Sequence, residues 1–199
     1  MRRPGCRRGV GMEGAVLVEF ALVLPFLALM AFGIVEFGLV RQDQLTVETA
    51  GRAAVRVGSA AGNSGDADKS LLLGLGSAIT DVGLDNVQWV VVYRSTTADG
   101  SVPSGCGGSP PTSVSGSCNV YTGAQLKVIA SAAGAPASWF GCGAGSLDGS
   151  WCPASRQTTQ AFGTDYLGAW VRAVHPLQTG FFGSQVTIDD RAVMRLEPR

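Results

Sequence analysis

A long apolar run near the N-terminus dominates the hydrophobic pattern of the chain. Residues 15–40 read AVLVEFALVLPFLALMAFGIVEFGLV, and the stretch from Phe20 to Val35 carries no charge. As a helix rising about 1.5 Å per residue, the run would extend roughly 39 Å, whereas the hydrocarbon core of a bilayer is roughly 30 Å thick. A buried globular helix of this length without a polar face is unusual. The pattern therefore predicts one membrane-spanning helix over residues 15–40.

The helical period continues beyond this run, but with only one apolar stripe. The apolar positions of the stripe are Val40, Val47, Ala50, Ala54 and Val57. Glu48 and Arg52 face each other one turn apart on the opposite side. The turn-forming sequence GNSGDADKS at 62–70 then ends the helix. We expect residues 41–62 to form an amphipathic stalk that lays its apolar stripe on a folded domain comprising residues 63–199.

The pattern in that domain changes from helical to strand-like. Asp68 is placed to cap a second helix that runs through Leu71 to Ile79. Residues 86–95, NVQWVVVYRS, are β-branched and aromatic, as is typical of a strand. Two or three further short strands are predicted near the C-terminus, at residues 169–174, 185–188 and 192–196, with 178–183 as the connection. Short separations favour antiparallel hairpins, so the expected fold class is α+β with a small antiparallel sheet.

Residues 96–165 are predicted to form an irregular region with one short helix at 121–133. This region is rich in Gly, Ser and Pro, and it holds four cysteines: Cys106, Cys118, Cys142 and Cys152. Four cysteines allow three pairings, which sequence alone does not separate. The short-loop pairing, 106 with 118 and 142 with 152, is the simplest, and each bridge would stabilise the fold by roughly 3 kcal/mol in the chain-entropy model. Tight C-x-x-C pairs are missing from the sequence, so we expect no zinc site.

Charge indicates the direction of membrane insertion. The 199 residues contain 15 basic and 15 acidic side chains, so no net field attracts nucleic acid or acidic substrates. The leader, residues 1–14, nevertheless contains Arg2, Arg3, Arg7 and Arg8. The positive-inside rule then predicts a cytoplasmic N-terminus and an extracytoplasmic location for everything after about Arg41. Export agrees with the use of four cysteines as disulfides.

A cleaved secretory signal peptide is the alternative reading of the same N-terminus. A basic segment followed by an apolar segment is common to both. However, Ala31-Phe32-Gly33 makes a poor cleavage site for signal peptidase, and the apolar run continues beyond it. These features favour a signal anchor that stays attached to the protein.

The sequence offers little for catalysis. His175 is the only histidine, and it precedes Pro176 at a predicted strand end, where a structural role is expected. No G-x-S-x-G motif occurs, and the acidic pairs Asp66/Asp68 and Asp189/Asp190 are interpreted as solvated turn residues. The four tryptophans, Trp89, Trp139, Trp151 and Trp170, are interpreted as packing residues. We expect no enzymatic activity, cofactor or metal, and neither nucleic acid nor a small-molecule substrate as a partner.

Glu19 is the one unexpected residue in the apolar run. An ionised, unpaired carboxylate in a membrane helix costs a few kcal/mol. A shallow position among the cytoplasmic headgroups would lower this free-energy cost, and Glu19 would then need no functional role. The other explanation is a positively charged partner on a neighbouring molecule.

The residues around Glu19 match a known pattern. The segment Gly14–Phe20, GAVLVEF, resembles the processing site of type IV and tight-adherence (Flp-type) prepilins, with glycine before the cut and glutamate at the fifth position after it. The longer stretch GAVLVEFALVLPFLALMAFGIVEFG resembles the N-terminal signature of the TadE-like pilus-assembly family. The closing DRAVMRLEP is also similar to the ends of such proteins.

The resemblance implies a minor pilin, or pseudopilin, that acts in assembly of a Flp-type pilus used for adherence or secretion. A membrane prepilin peptidase would cut between Gly14 and Ala15, and Glu19 with Phe20 would set the register of the subunit against its neighbours. The implied partners are the membrane, other pilin or pseudopilin subunits, the assembly platform and the peptidase. The implied location is the cell membrane, with possible incorporation into a surface pilus.

Pro25 is consistent with this implication. It removes a helix hydrogen bond to the carbonyl of Ala21 and would create a weak point at which the helix can extend on assembly. A proline tolerated in a membrane helix without any role is the alternative.

A second function class fits the same pattern. A single-pass anchored or secreted binding domain would need the same export signal and the same disulfides. Its partner surface would lie in the irregular region, residues 96–165.

Overall fold

The computed structural model describes residues 12–159, 163–180 and 183–198, and it contains three α-helices and four β-strands in these ranges. The helices are α1 (Met12–Ala61), α2 (Ala67–Ala78) and α3 (Gly123–Ala130). The strands are β1 (Val87–Ser95), β2 (Cys118–Thr122), β3 (Tyr166–Pro176) and β4 (Gln185–Arg195). Contacts divide the chain into two compact units, one ending at Leu39 and one beginning at Val40. The α+β class with a long N-terminal helix and a small antiparallel sheet is confirmed.

The sheet has the strand order β2-β1-β3-β4, and every neighbouring pair is antiparallel. β3 pairs along its whole length with β4, with Val171 opposite Asp190 at the centre. Of the two or three C-terminal strands that the sequence predicts, the structure has two, because β4 continues without interruption through Asp189, Asp190 and Arg191. Cross-strand partners on β3 keep this charged stretch extended.

β2 is an element that the sequence pattern missed. It lies in the region expected to be irregular, at one edge of the sheet, and pairs Val120 with Val91 of β1. The helix predicted to begin at Tyr121 begins instead at Gly123, after a capping box in which the Thr122 side chain accepts from the Gln125 backbone N–H. A Cβ at Gly123 would lie 1.8 Å from the Val87 carbonyl oxygen, so only glycine allows this close turn from strand to helix.

The part of α1 from Val40 onward packs on one face of the sheet. Val47, Ala50 and Ala54 are fully buried, as the apolar stripe predicts. Val57 is 41% exposed, which contradicts its predicted place in the stripe. Gly58 occupies the next inward position instead, where a Cβ would approach Leu71 and Leu167 to 2.8 Å. The helix can pack this closely only because the side chain is missing.

α2 and α3 complete the same layer. Leu71, Leu72 and Leu75 of α2 are fully buried in the main core. Gly76 makes the contact with α3 tight, since a Cβ there would lie 2.8 Å from the Cβ of Ala130. The N-cap of α2 is Asp66, whose side chain makes no capping hydrogen bond, so the predicted cap at Asp68 is wrong.

The opposite face of the sheet carries a smaller core. Tyr93 and Trp170 are buried there beside Cys106 and Cys118. The Tyr93 hydroxyl donates to the Gly100 carbonyl oxygen at 2.6 Å, which holds part of the irregular segment against the sheet. Burial raises the pKa of Tyr93 to about 12. This segment is therefore a covering layer for the second sheet face.

Candidate functional site

The segment Gly14–Phe20 lies on α1 with all of its side chains exposed. Val16, Leu17 and Phe20 have exposed fractions of 62%, 68% and 58%. Glu19 makes no hydrogen bond or ion pair with any residue in the described ranges. The carboxylate therefore lies among apolar side chains without a partner among the described residues.

Apolar exposure continues along α1 as far as Leu39. Large side chains that are at least 38% exposed occur on every turn, and they include Leu22, Phe26, Met30, Ile34 and Phe37. Within α1, an 18-residue window reaches a mean hydropathy of 2.4, and none of it is buried. The length and composition of this helix indicate membrane anchoring. A surface of this kind in water would be an aggregation hazard.

Pro25 lies inside α1, which is helical on both sides of it. Its side chain is exposed like those of its neighbours. Its missing N–H leaves the Ala21 carbonyl without its usual helical donor. The weak point predicted at this position stays a prediction.

The four leader arginines lie outside the described residues, and so do the side chains on the leader side of the predicted cut. Gly14 itself is described, and a Cβ built on it would meet no atom within 4 Å. The Gly14–Ala15 bond is thus not covered by the described side chains. Cleavage there stays a prediction.

The disulfides have the short-loop pairing. Cys106 bonds to Cys118, and Cys142 bonds to Cys152. The first bridge ties the segment after β1 to the start of β2. Inside the second loop, the Asp148 carboxylate accepts the backbone N–H groups of Gly141 and Cys142 at 2.8 and 3.0 Å. The bridges therefore replace regular secondary structure in the Gly- and Ser-rich region.

A buried polar cluster, Asp68, Asn119, Tyr121 and Arg156, joins α2 to β2 and to the second disulfide loop. Asp68 accepts from Arg156 Nη2 at 2.5 Å, from the Tyr121 hydroxyl at 2.7 Å and from Asn119 Nδ2 at 2.8 Å. Both charged side chains are fully buried. Burial, followed by the nearby Asp68 charge, raises the pKa of Tyr121 well above its usual value.

The cluster corrects the interpretation of Asp68 as a solvated turn residue. Its partners follow it by 51 to 88 positions in the sequence, so no local pattern reveals them. The Arg156 guanidinium also lies 4.1 Å from the ring centre of Trp151. Removing Asp68 or Arg156 would leave an uncompensated buried charge, so the pair holds the loop to the core.

Asp189 and Asp190 are not turn residues either, because both lie within β4. Asp189 accepts from Arg172 Nε at 2.6 Å and from Trp170 Nε1 at 3.0 Å. Burial raises the pKa of Asp190 above its usual range, and its Oδ2 has no hydrogen-bond partner in the described ranges. Asp189 therefore stabilises the sheet through its hydrogen bonds, whereas Asp190 is a partly buried carboxylate within a strand.

His175 lies near the end of β3, where its Nδ1 contacts Asp43 Oδ2 of α1 at 2.6 Å. Its Nε2 is buried and has no hydrogen-bond partner among the described residues, so no serine or cysteine pairs with it there. Trp89 and Trp170 pack edge to face with ring centres 6.1 Å apart, and Arg172 lies over Trp89. In the described part of the chain, no group of three or more His, Cys, Asp or Glu side chains could hold a metal ion.

Comparison with known families gives one match. Residues 14–56 match the family model described as TadE-like protein. Comparisons with curated proteins and with solved structures give no match. The matched segment ends within α1, so it covers the exposed apolar surface, Glu19 and most of the packed stalk but none of the strands. The match confirms the resemblance of this N-terminal segment to the family.

Proposed function

We propose, from the premise that residues 14–56 are the N-terminal segment of a TadE-like protein, that this chain is a minor pilin, or pseudopilin, acting in assembly of a Flp-type pilus. Residues 15–40 would span the membrane with the arginine-rich leader in the cytoplasm. The stalk, residues 41–62, and the domain that follows would be extracytoplasmic, where disulfides are stable. The protein would have a structural role and no catalysis of its own.

The single observation that carries this proposal is Glu19, whose carboxylate lies on an exposed apolar helix and has no partner among the described residues. An acidic side chain costs about 2.5–3.5 kcal/mol at the centre of a membrane helix, and less near the interface. A positive charge from a neighbouring protomer would remove that cost. Assembly would then be favoured over the isolated subunit.

Processing would supply the positive charge. Cleavage by a prepilin peptidase after Gly14 would free the ammonium group of Ala15, and Glu19 would become the fifth residue of the mature chain. Two neighbouring helices could then pair Glu19 of one with Ala15 of the other, with Phe20 packing beside the pair. Because a shift along the helix axis would separate the charges, the pair would also fix the register between subunits.

Pro25 would act after insertion. With one backbone hydrogen bond missing, the first turns of α1 could extend locally when the subunit enters a filament. The exposed apolar side chains on either side of Pro25 would remain in contact with lipid or neighbouring helices throughout.

The mature N-terminus tests the proposal directly. Full-length protein is produced in a host with its prepilin peptidase, extracted from membranes, and its intact mass is measured. The proposal expects a chain that begins at Ala15. A chain that begins at Met1 contradicts processing.

The role of Glu19 needs a separate experiment. Glu19→Gln keeps the size of the side chain but removes its charge, so we expect normal membrane insertion with loss of assembly into pili. Glu48→Gln is the matched control, since Glu48 pairs with Arg52 on the folded part of α1. Normal piliation with Glu19→Gln would contradict the pairing.

The compact unit that begins at Val40 is also consistent with a second function, that of a single-pass anchored binding domain. This second function predicts an unprocessed chain and full function in the Glu19→Gln variant. The same two measurements therefore separate the two functions.

A further inference from the structure

The outer edge of β4 forms an open groove with the packed part of α1. β4 is an edge strand of 11 residues, and among the described residues it pairs only with β3. The groove has a volume of about 290 Å³ and is lined by four consecutive β4 residues and three α1 residues. They are Arg191, Ala192, Val193 and Met194, and Arg52, Val55 and Arg56.

α1 lies close to β4, and this contact places the groove along the outer edge of the strand. A Cβ on Gly51 would lie 3.2 Å from Asp190 Oδ2 and 3.8 Å from the Ala192 Cβ. Farther along, the Ser59 hydroxyl donates to the Arg195 carbonyl oxygen at 2.6 Å. Between these two contacts the helix runs beside the strand. Every second residue of an edge strand directs its N–H and C=O groups away from the sheet, so the groove has backbone donors and acceptors along one wall.

The helical wall carries a positive charge that forms no ion pair within the described residues. Arg56 is exposed and makes no ion pair with any described residue. Arg52 pairs with Glu48, so these two charges offset each other. Asp190 lies beside Gly51 of the same helix, and burial raises its pKa. A ligand with carboxylates facing α1 would meet Arg56 directly and could share Arg52.

We propose that this groove binds an extended segment of another protein, which adds as a fifth strand to β4 and carries acidic side chains at alternate positions. Alternation follows from strand geometry, because every second side chain of the added strand would face α1 and its arginines. Main-chain hydrogen bonds to β4 would supply affinity, and the arginines would select acidic sequences. This inference concerns only the unit from Val40 onward and does not rest on the proposed pilus role.

The test uses the full chain in detergent micelles and a labelled synthetic peptide in which Glu and Val alternate. Two matched peptides separate the contributions. One has Lys in place of Glu, and the other has the same acidic sequence with alternate backbone nitrogens methylated. Binding is measured by fluorescence anisotropy, and protection of β4 amides is measured by hydrogen exchange.

We expect the acidic peptide to bind and to protect amides in 190–194. Methylation and the Arg56→Glu substitution should each weaken binding by about tenfold or more. Lys127→Glu, the same charge change on α3, should leave binding unchanged.

Three outcomes overturn the inference. The first is that the acidic peptide does not bind. The second is equal binding of the methylated peptide without protection of β4, which would make the groove a simple anion site. The third is protection of β4 that increases with protein concentration in the absence of peptide, which would assign the edge to a second copy of this chain.

Discussion

The two parts of α1 have the same backbone conformation but opposite relations to their surroundings. Before Leu39 the large apolar side chains are exposed, for example Phe26 at 70% and Ile34 at 72%. After Val40 the inward positions Val47, Ala50 and Ala54 are fully buried against the folded unit. The first part therefore needs lipid or other subunits to cover it, whereas the second part is covered by its own chain.

This difference predicts which part of the chain determines the free energy of unfolding. In the unit from Val40 onward, side chains depend on particular partners in the same chain, as Asp68 does on Arg156. In the part before Leu39, apolar side chains need only an apolar environment. Substitutions should therefore be costly in the folded unit and nearly neutral to its stability in the exposed part. All four tryptophans lie after Val40, so their fluorescence reports on the folded unit alone.

Asp68→Asn should have the largest effect. The amide keeps the shape of the side chain but leaves the fully buried Arg156 without a counter-charge, which costs about 3–5 kcal/mol in comparable buried pairs. Guanidinium unfolding of the full chain in micelles, followed by tryptophan fluorescence, measures the loss. Asp66→Asn is the control, because Asp66 is exposed and makes no side-chain capping bond. Equal stability of the two variants would contradict the importance of the cluster.

Gly168→Ala should have the next largest effect. A Cβ there would lie 2.3 Å from Cζ of the fully buried Tyr93, and overpacking of this kind typically costs about 1–3 kcal/mol. Gly38→Ala makes the same chemical change where no atom lies within 4 Å. The same unfolding measurement should show a loss for the first variant only. A comparable loss for Gly38→Ala would contradict the distinction between the folded unit and the exposed part of α1.

Asp190→Asn should have the smallest effect, and the size of this effect depends on pH. Burial raises the pKa of Asp190 above 3.8, so the ionised carboxylate destabilises the folded state. This penalty is absent below the unfolded pKa, grows as pH rises through the folded pKa, and is complete above it. The variant should therefore be slightly more stable than the parent at about pH 7, and the difference should shrink toward about pH 4. Unfolding midpoints at both pH values test this, and a constant difference would contradict it.

Sequence reasoning performed best where the signal was local and periodic. The apolar run, the buried stripe up to Ala54 and β1 follow directly from repeating patterns. It failed at β2, because Cys118–Thr122 is short and lies within Gly- and Ser-rich sequence. It also left open whether β4 is one strand or two, because Asp189, Asp190 and Arg191 are typical of turns. In both cases pairing with a neighbouring strand overrides local propensity.

The candidate site was partly predictable for the same reason. Glu19 stands out because a charge within an apolar run violates the local pattern. The groove beside β4 could not be predicted, since Arg56 and Val193 are far apart in sequence and unremarkable separately.

The sequence by itself determined the apolar helix, its acidic residue and the family resemblance, because each depends on residues within a few helical turns of one another. Only the tertiary structure decided which carboxylates are buried, which glycines are irreplaceable and which strand edge stays open. Those properties depend on contacts between distant segments, such as Asp68 with Arg156 and Gly51 with Asp190. Burial and pairing are set by what the folded chain brings together, and composition along the chain does not contain that information.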